Sequence, residues 1–282
     1  MTAFLGMGLL GSNFVRAMLN KGGQVNVWNR TASKAKALEQ YGAKAFDDVA
    51  AAVKDADTIH ITLKDDASVD EVLEKASAGF KPGATIIDHT TTSAAGAIER
   101  TKKWKERGLT YQHAPVFMGP QNALESTGTM LVSGEQDVIK KIEPELNKMT
   151  GKLMNLGSET GKAAGMKLIG NLFLLSLTSG IADALALGKA EGISAADVAS
   201  LLEAWNPAAM VPVRLKKITD GKFDQPSWEL NMARKDARLM MEAAKKGNTH
   251  LFVIPAVAEQ MDKWIEKGHG NNDWTIIAKD SI

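Results

Sequence analysis

The sequence predicts an α/β chain: a mainly parallel β-sheet wound with helices, followed by a long helix and an all-α remainder. Three observations predict it. Short apolar runs alternate with helical stretches through the first half. A glycine cluster, Gly6-Met7-Gly8-Leu9-Leu10-Gly11, stands where the first apolar run meets the first helical pattern. Beyond about residue 160 only helical patterns remain. A chain of 282 residues has room for about two domains. We place them at residues 1–160 and 161–282.

The elements follow in order. Ala3-Phe4-Leu5 is the first strand, and Phe14, Val15, Met18 and Leu19 share one side of the first helix, which Gly22-Gly23 stops. Gln24 to Trp28 is the second strand, and Ser33 to Tyr41 a second helix closed by Gly42. Thr58–Leu63 and Thr85–Asp88 are further strands, the latter after the turn Lys81-Pro82-Gly83. Strands separated by helices imply βαβ units and a parallel sheet. Leu109–His113, Gly128–Ser133 and Leu153–Leu156 are read as extensions of the same sheet. A long helix then runs from about Gly161 to Glu191, followed by helical patterns at 195–204, 211–217, 228–246 and 255–267.

Composition excludes several classes. There is no cysteine, so thiol nucleophiles, disulfides, iron–sulfur clusters and cysteine-based zinc sites are out, and a reducing cytoplasm is expected. The 34 basic and 33 acidic residues leave a net charge of +1, which argues against a nucleic-acid binder. No uninterrupted apolar run reaches the roughly 18 residues read as a membrane span, and the first residues lack a signal-peptide profile, so no membrane association is expected. The five histidines show no metal-ligand spacing, and no metal site is expected. His60 reads as packed in its strand, and His89 and His113 as structural residues near the predicted site. Trp205, Trp228 and Trp264 read as core or interface.

The glycine cluster has the form Gly-x-Gly-x-x-Gly between a strand and a helix, with a second strand following. In a Rossmann-type dinucleotide site the first glycine permits the tight turn, the second admits a pyrophosphate and the third lets helix and strand pack closely. The helix N-terminus offers free N–H groups to the phosphates. An NAD site places an acidic residue at the end of the second strand. This chain has Asn29-Arg30-Thr31, with Lys34 one turn on. Arg30 can clamp a 2′-phosphate that a carboxylate would repel, so NADP(H) is expected over NAD(H).

A second constellation lies at the start of the long helix, Gly157 to Asn171. Lys167 and Asn171 are four apart and share a face. Gly161, Ala164 and Gly165 let other atoms approach that turn, and apolar neighbours would partly desolvate Lys167. A desolvated lysine trades a proton nearer neutral pH.

These motifs together resemble the β-hydroxyacid dehydrogenases, which include 3-hydroxyisobutyrate dehydrogenase and the glyoxylate/succinic semialdehyde reductases, within the 6-phosphogluconate dehydrogenase NAD-binding superfamily. The likeness spans essentially the whole chain. Residues 6–11 match the amino-terminal fingerprint, and Asn29-Arg30-Thr31 looks like the NADP-type members. Asp88 to Thr92 matches a segment in which Thr91 would touch cofactor and substrate. Leu63, Lys64 and Ser68 fall where the family's loop meets the nicotinamide half. Gly161 to Asn171 matches Gly-x-x-x-Gly-x-Lys-x-x-x-Asn, which implies Lys167 as the acid/base and Asn171 as its substrate-orienting partner. Lys235-Asp236 matches a pair whose lysine closes over the cofactor, and 268–274 looks like the family's tail. The resemblance also implies a homodimer or homotetramer.

One departure stands out. The family's substrate loop usually reads Ala-Pro-Val-Ser-Gly-Gly, but here it is Ala114-Pro115-Val116-Phe117-Met118-Gly119. A hydroxyl is lost and bulk gained, while the Met118 and Gly119 N–H groups remain as expected anion donors. The sequence therefore predicts an active site between the two domains, with transfer of hydride between NADPH and a carbonyl: a semialdehyde, a glyoxylate-like compound or something bulkier. An imine reductase is the alternative within this fold, and a non-catalytic NADP-binding scaffold the alternative of another class.

Overall fold

Every residue from 1 to 282 is described by the computed structural model. The first half forms β1 (Thr2–Leu5), α1 (Leu9–Asn20), β2 (Val25–Trp28), α2 (Ala32–Lys36), β3 (Lys44–Phe46), α3 (Val49–Val53), β4 (Thr58–Ile61), α4 (Asp66–Ala76), β5 (Thr85–Asp88), α5 (Ala94–Glu106) and β6 (Thr110–His113). Their strands make one sheet in the order β3-β2-β1-β4-β5-β6, every neighbouring pair parallel. This is the doubly wound Rossmann order.

Side chains alternate across the strands, and each face of the sheet has its own core. Phe4, Val27 and Ile87 pack with Phe14 and Val15 of α1. Ala3, Leu5, Ile59, Ile61 and Ile86 pack on the other face with Val72, Leu73 and Trp104. Each such fully buried large side chain contributes about 1.5–3 kcal/mol. With both faces covered, the central strands read as near-continuous apolar runs, interrupted by Asn26 in β2 and His60 in β4, which is why they are legible in the sequence.

Two expectations are corrected here. The stretch 33–41 is not one helix. It breaks after α2 into a 3-10 turn at Glu39–Tyr41, because the Leu38 carbonyl accepts from both Tyr41 and Ala43 N–H groups and closes the turn at Gly42. And only β6 extends the parallel sheet. β7 (Val116–Phe117), which α6 (Pro120–Glu125) follows, pairs antiparallel with β8 (Thr129–Val132). After α7 (Gln136–Leu146), β9 (Lys152–Asn155) adds parallel to β8, making a separate three-stranded sheet. Only Ala114 and Pro115 separate β6 from β7. A parallel neighbour needs a crossover of about a dozen residues, and Pro115 has no N–H to donate to a ladder.

The helical half is α8 (Lys162–Ala190), α9 (Ala195–Ala204), α10 (Val211–Thr219), α11 (Leu230–Lys246) and α12 (Ile254–Trp264), with a 3-10 segment at Trp274–Ser281. Its core holds Phe223, Leu230, Met261, Trp264 and Ile276. Trp264 is buried as expected, whereas Trp205 is exposed. Asp273 anchors this core. It is buried and accepts from Lys217 Nζ (2.5 Å), Ser227 N and Oγ (2.8 Å each), and Thr275 Oγ1 (2.6 Å) and N (3.1 Å). Burial alone would raise its carboxyl, but the Lys217 ammonium and these donors hold it well below the usual carboxylate range.

Chain contacts group Met1–Asn171 into one unit and Leu172–Ile282 into another, so the first turns of α8 belong with the sheet. Two contacts explain this. Ser133 Oγ accepts the Ala163 N–H at 2.9 Å. Gly161, at φ +88°, lies so close to Ile98 and the Ala94 carbonyl that a Cβ there would clash. The later part of α8 carries exposed Leu172, Phe173, Leu174, Leu175, Leu177, Ile181 and Leu185. By length and composition α8 is apolar enough to cross a membrane, although no uninterrupted run shows it. Asp183 ties this part to protein instead: its buried carboxylate accepts the Phe252, Val253 and Ile254 N–H groups at 2.6, 2.8 and 3.1 Å, at the start of α12.

Candidate active site

The sheet's carboxyl ends open onto a cleft of about 650 Å³. Gly6, Gly8, Leu9 and Leu10 line it from the first turn, and Asn29, Arg30, Thr31 and Lys34 from the end of β2. Leu63 and Lys64 line it from the loop after β4, Ser68 from α4, and Met118 from the loop after β7. The three motif glycines differ in what requires them. Gly6 has φ +100°, and a Cβ would sit 2.2 Å from the Thr62 carbonyl oxygen. At Gly11 it would sit 1.9 Å from the Gly6 carbonyl oxygen. At Gly8, which is exposed on the cleft, it would meet no protein atom within 4 Å. Packing explains Gly6 and Gly11, whereas room for a ligand explains Gly8. No side chain caps the α1 N-terminus, which leaves its N–H groups for an anion.

Met7 and Asn29 brace this cradle. The buried Met7 donates its N–H to Asn29 Oδ1 (2.9 Å), and Asn29 Nδ2 donates to the Thr31 carbonyl (2.9 Å). Asn29 thus shapes the loop with both ends of its amide. Arg30, Thr31 and Lys34 are exposed, and neither Arg30 nor Lys34 is in a salt bridge. The Thr31 hydroxyl makes no capping bond to α2. The acid nearest to hand in the cleft, Glu71, is held by Lys75 at 2.6 Å. Trp28, Glu71, Val72 and Lys75 also line the cleft and were not singled out by the motifs. The spacing 68, 71, 72, 75 along α4 is one helical face and was the available signal.

Ser68 lies in the first turn of α4, whose N-cap is Asp65: Asp65 Oδ1 accepts the Ser68 N–H at 2.9 Å and the Ser68 hydroxyl at 2.5 Å. Thr91 is exposed but does not line the cleft. Its buried neighbour Thr90 makes the structural link, accepting the Leu63 N–H at 2.9 Å. Lys235 lies on α11 in the helical unit, where its Nζ pairs with Asp236 at 2.9 Å. Its assignment to the cofactor rests on the family likeness.

Lys167 is buried near the start of α8. Its Nζ donates to Asn171 Oδ1 at 2.9 Å and lies 4.3 Å from the centroid of the Phe117 ring. Burial pushes its ammonium below the ordinary 10.5, and no carboxylate counteracts the shift. Of the small residues read as admitting close approach, Gly161 and the buried Ala164 do so, but Gly165 faces open space. The close approach is at Gly170, where a Cβ would come 2.3 Å from Phe117 Cζ. Phe117 therefore turns toward the lysine. Another expectation is corrected: the Gly119 N–H is not a free anion donor, because it donates to Asn122 Oδ1 at 2.9 Å, at the N-terminus of α6.

The histidines form a packed network. His89 Nδ1 donates to the Ala114 carbonyl (2.9 Å), so its Nε2 is left to accept from His60 Nδ1 (3.0 Å). His60 Nε2 meets Glu145 Oε1 at 2.9 Å, and that bond requires one further proton. Burial pushes His89 down to about 3. His113 Nε2 donates to the Thr90 carbonyl at 2.8 Å. These rings brace the loops rather than line the cleft.

The chain is similar to known proteins over its whole length. Residues 1–157 match the family model for the NAD binding domain of 6-phosphogluconate dehydrogenase. Residues 159–281 match the NADPH-dependent reductive aminase-like C-terminal domain. The chain is 25% identical to 2-(hydroxymethyl)glutarate dehydrogenase of Eubacterium barkeri, over 98% of its own length and 93% of that protein's. It is 29% identical to the chloroplastic glyoxylate/succinic semialdehyde reductase 2 of Arabidopsis thaliana, over 96% and 75%. The imine reductase of Myxococcus stipitatus in complex with NADP+ aligns with a TM-score of 0.92 over 99% of each chain, at 23% identity, a likeness of fold.

Proposed function

The chain belongs to the β-hydroxyacid dehydrogenase family of the 6-phosphogluconate dehydrogenase NAD-binding superfamily, and from that premise we infer an NADP(H)-dependent oxidoreductase that reduces a carbonyl group. The observation that carries this reading is Lys167: a buried ammonium with no carboxylate partner, bonded to Asn171. Its ring neighbour Phe117 is followed by Met118, which lines the nucleotide cleft.

The residues suit the cofactor. The first turn of α1 would hold the pyrophosphate beside Gly8, and Arg30, Thr31 and Lys34 the 2′-phosphate. Leu63, Lys64 and Ser68 would line the nicotinamide half. When bound, the nicotinamide supplies hydride. Lys167 supplies the proton, passing it from Nζ to the carbonyl oxygen as negative charge develops there. Asn171 accepts from the same ammonium and so fixes the direction of the remaining N–H bonds. The Phe117 ring covers one side of Lys167, and keeping water from it is what lowers its pKa.

A second reading, reduction of a C=N bond, is favoured by the carboxy-terminal half, which matches a reductive aminase-like domain. A scaffold without catalysis is disfavoured by the retained Lys167. The exposed apolar side chains of α8 between Leu172 and Leu185 are suited to a second copy of this chain, which supports a homodimer. Light scattering would read twice the monomer mass. The deciding experiment is NADPH oxidation, monitored over aldehydes, oxo acids and cyclic imines, with NADH in parallel. Turnover of a carbonyl with preference for NADPH is expected. Turnover of imines alone would replace the reading by the second, and NADPH binding without turnover by the scaffold.

A further inference from the structure

The walls around Lys167 are specific about charge. Its Nζ has one amide oxygen, Asn171 Oδ1, at 2.9 Å and one aromatic face, Phe117, at 4.3 Å. No charged side chain shifts it. The ring is seated on Gly170, where any side chain would collide with it, so Phe117 is matched to this position from both sides. Of the loop's next two residues, Met118 lines the cleft, and the Gly119 N–H is spent on Asn122.

A compound that sets its carbonyl oxygen on Lys167 must lay its substituents against this ring. The face of an aromatic ring is negative, which repels an anion and suits alkyl or aryl groups. A carboxylate lying against the ring would find no hydroxyl in the loop and, with the Gly119 N–H spent, a single backbone donor, the Met118 N–H. We propose that Phe117 is the specificity-determining residue of this site, selecting uncharged, apolar-substituted carbonyl compounds over those that carry a carboxylate. This rests on the reading of Lys167 as the acid. It separates the chain from relatives whose names are those of carboxylate substrates.

Binding of two unreactive ligands of one chain length, hexanamide and hexanoate, tests it by calorimetry without turnover. The purified full chain is titrated both free and loaded with NADP+. In the unaltered chain the amide binds at least about tenfold tighter. Phe117→Ser restores a donor and removes the ring, and it lowers the amide-to-carboxylate ratio by about tenfold or more, with Phe117→Thr taking its place should the serine variant unfold. Equal or tighter binding of hexanoate to the unaltered chain, or a ratio that stays within about twofold in the variant, overturns the proposal. Failure of NADP+ to bind would instead count against the cofactor reading, while the ratio on the free chain still decides this one.

Discussion

Lys167 and Asp273 are both buried charges, and their surroundings treat them in opposite ways. Asp273 is met by a lysine, two hydroxyls and two backbone N–H groups, and its carboxyl is held well below the usual range. Lys167 is met by one amide oxygen and the face of a ring, and burial lowers its pKa. A fully satisfied charge stays charged and serves as an anchor. An under-satisfied one is ready to give its proton away. The difference supports the acid role proposed for Lys167 without reference to sequence motifs.

The comparison can be broken at either end. Lys167→Ala removes the proton donor, and turnover falls by about 10²–10⁴-fold, read by NADPH oxidation, with NADPH binding retained. Retained turnover would make Lys167 another structural charge. Asp273→Ala leaves the Lys217 ammonium without its partner and costs about 3–5 kcal/mol, read by denaturant unfolding. The sign with pH follows from the lowered folded pKa. Its stabilisation is full above the unfolded value of 3.8 and is lost as pH falls through the folded one.

Arg30→Ala tests a third environment, exposed and outside any salt bridge. Removing one charge-assisted bond, at about 1.5–3 kcal/mol, raises the Michaelis constant for NADPH by about ten- to a hundredfold. That for NADH stays within about twofold, because no 2′-phosphate is present to lose them. The smallest effect is a profile. Reduction requires protonated Lys167, so activity falls with rising pH through a limb below the ordinary 10.5. In Phe117→Ser the limb moves toward 10.5 as water reaches Nζ. A limb at 10.5 in the unaltered chain would mean that the ammonium is solvated.

The parts of the molecule that were legible in the sequence share a cause. The central strands appear as apolar runs because both faces of the sheet are covered. Gly11 is readable because the turn between a strand and its helix brings it against Gly6, five residues back, and Gly6 because that turn demands its φ of +100°. Lys167 and Asn171 are readable because a helix puts residues four apart on one face, and they do meet. Other features were hidden. The separate sheet of β7, β8 and β9 depends on which edge of the first sheet is free and on how short the connection through Pro115 is. The part of Thr90, rather than Thr91, in joining two loops depends on which threonine points inward.

The sequence by itself determined the doubly wound sheet, the nucleotide cradle, the absence of an acid at the end of β2 and the pairing of Lys167 with Asn171. Each of these is set by covalent neighbours and by the periods of strand and helix. Only the tertiary structure decided that Phe117 faces Lys167 over Gly170 and that Asp273 is an anchor. Those contacts join residues far apart in the chain, where no local period links them and packing alone chooses the partner.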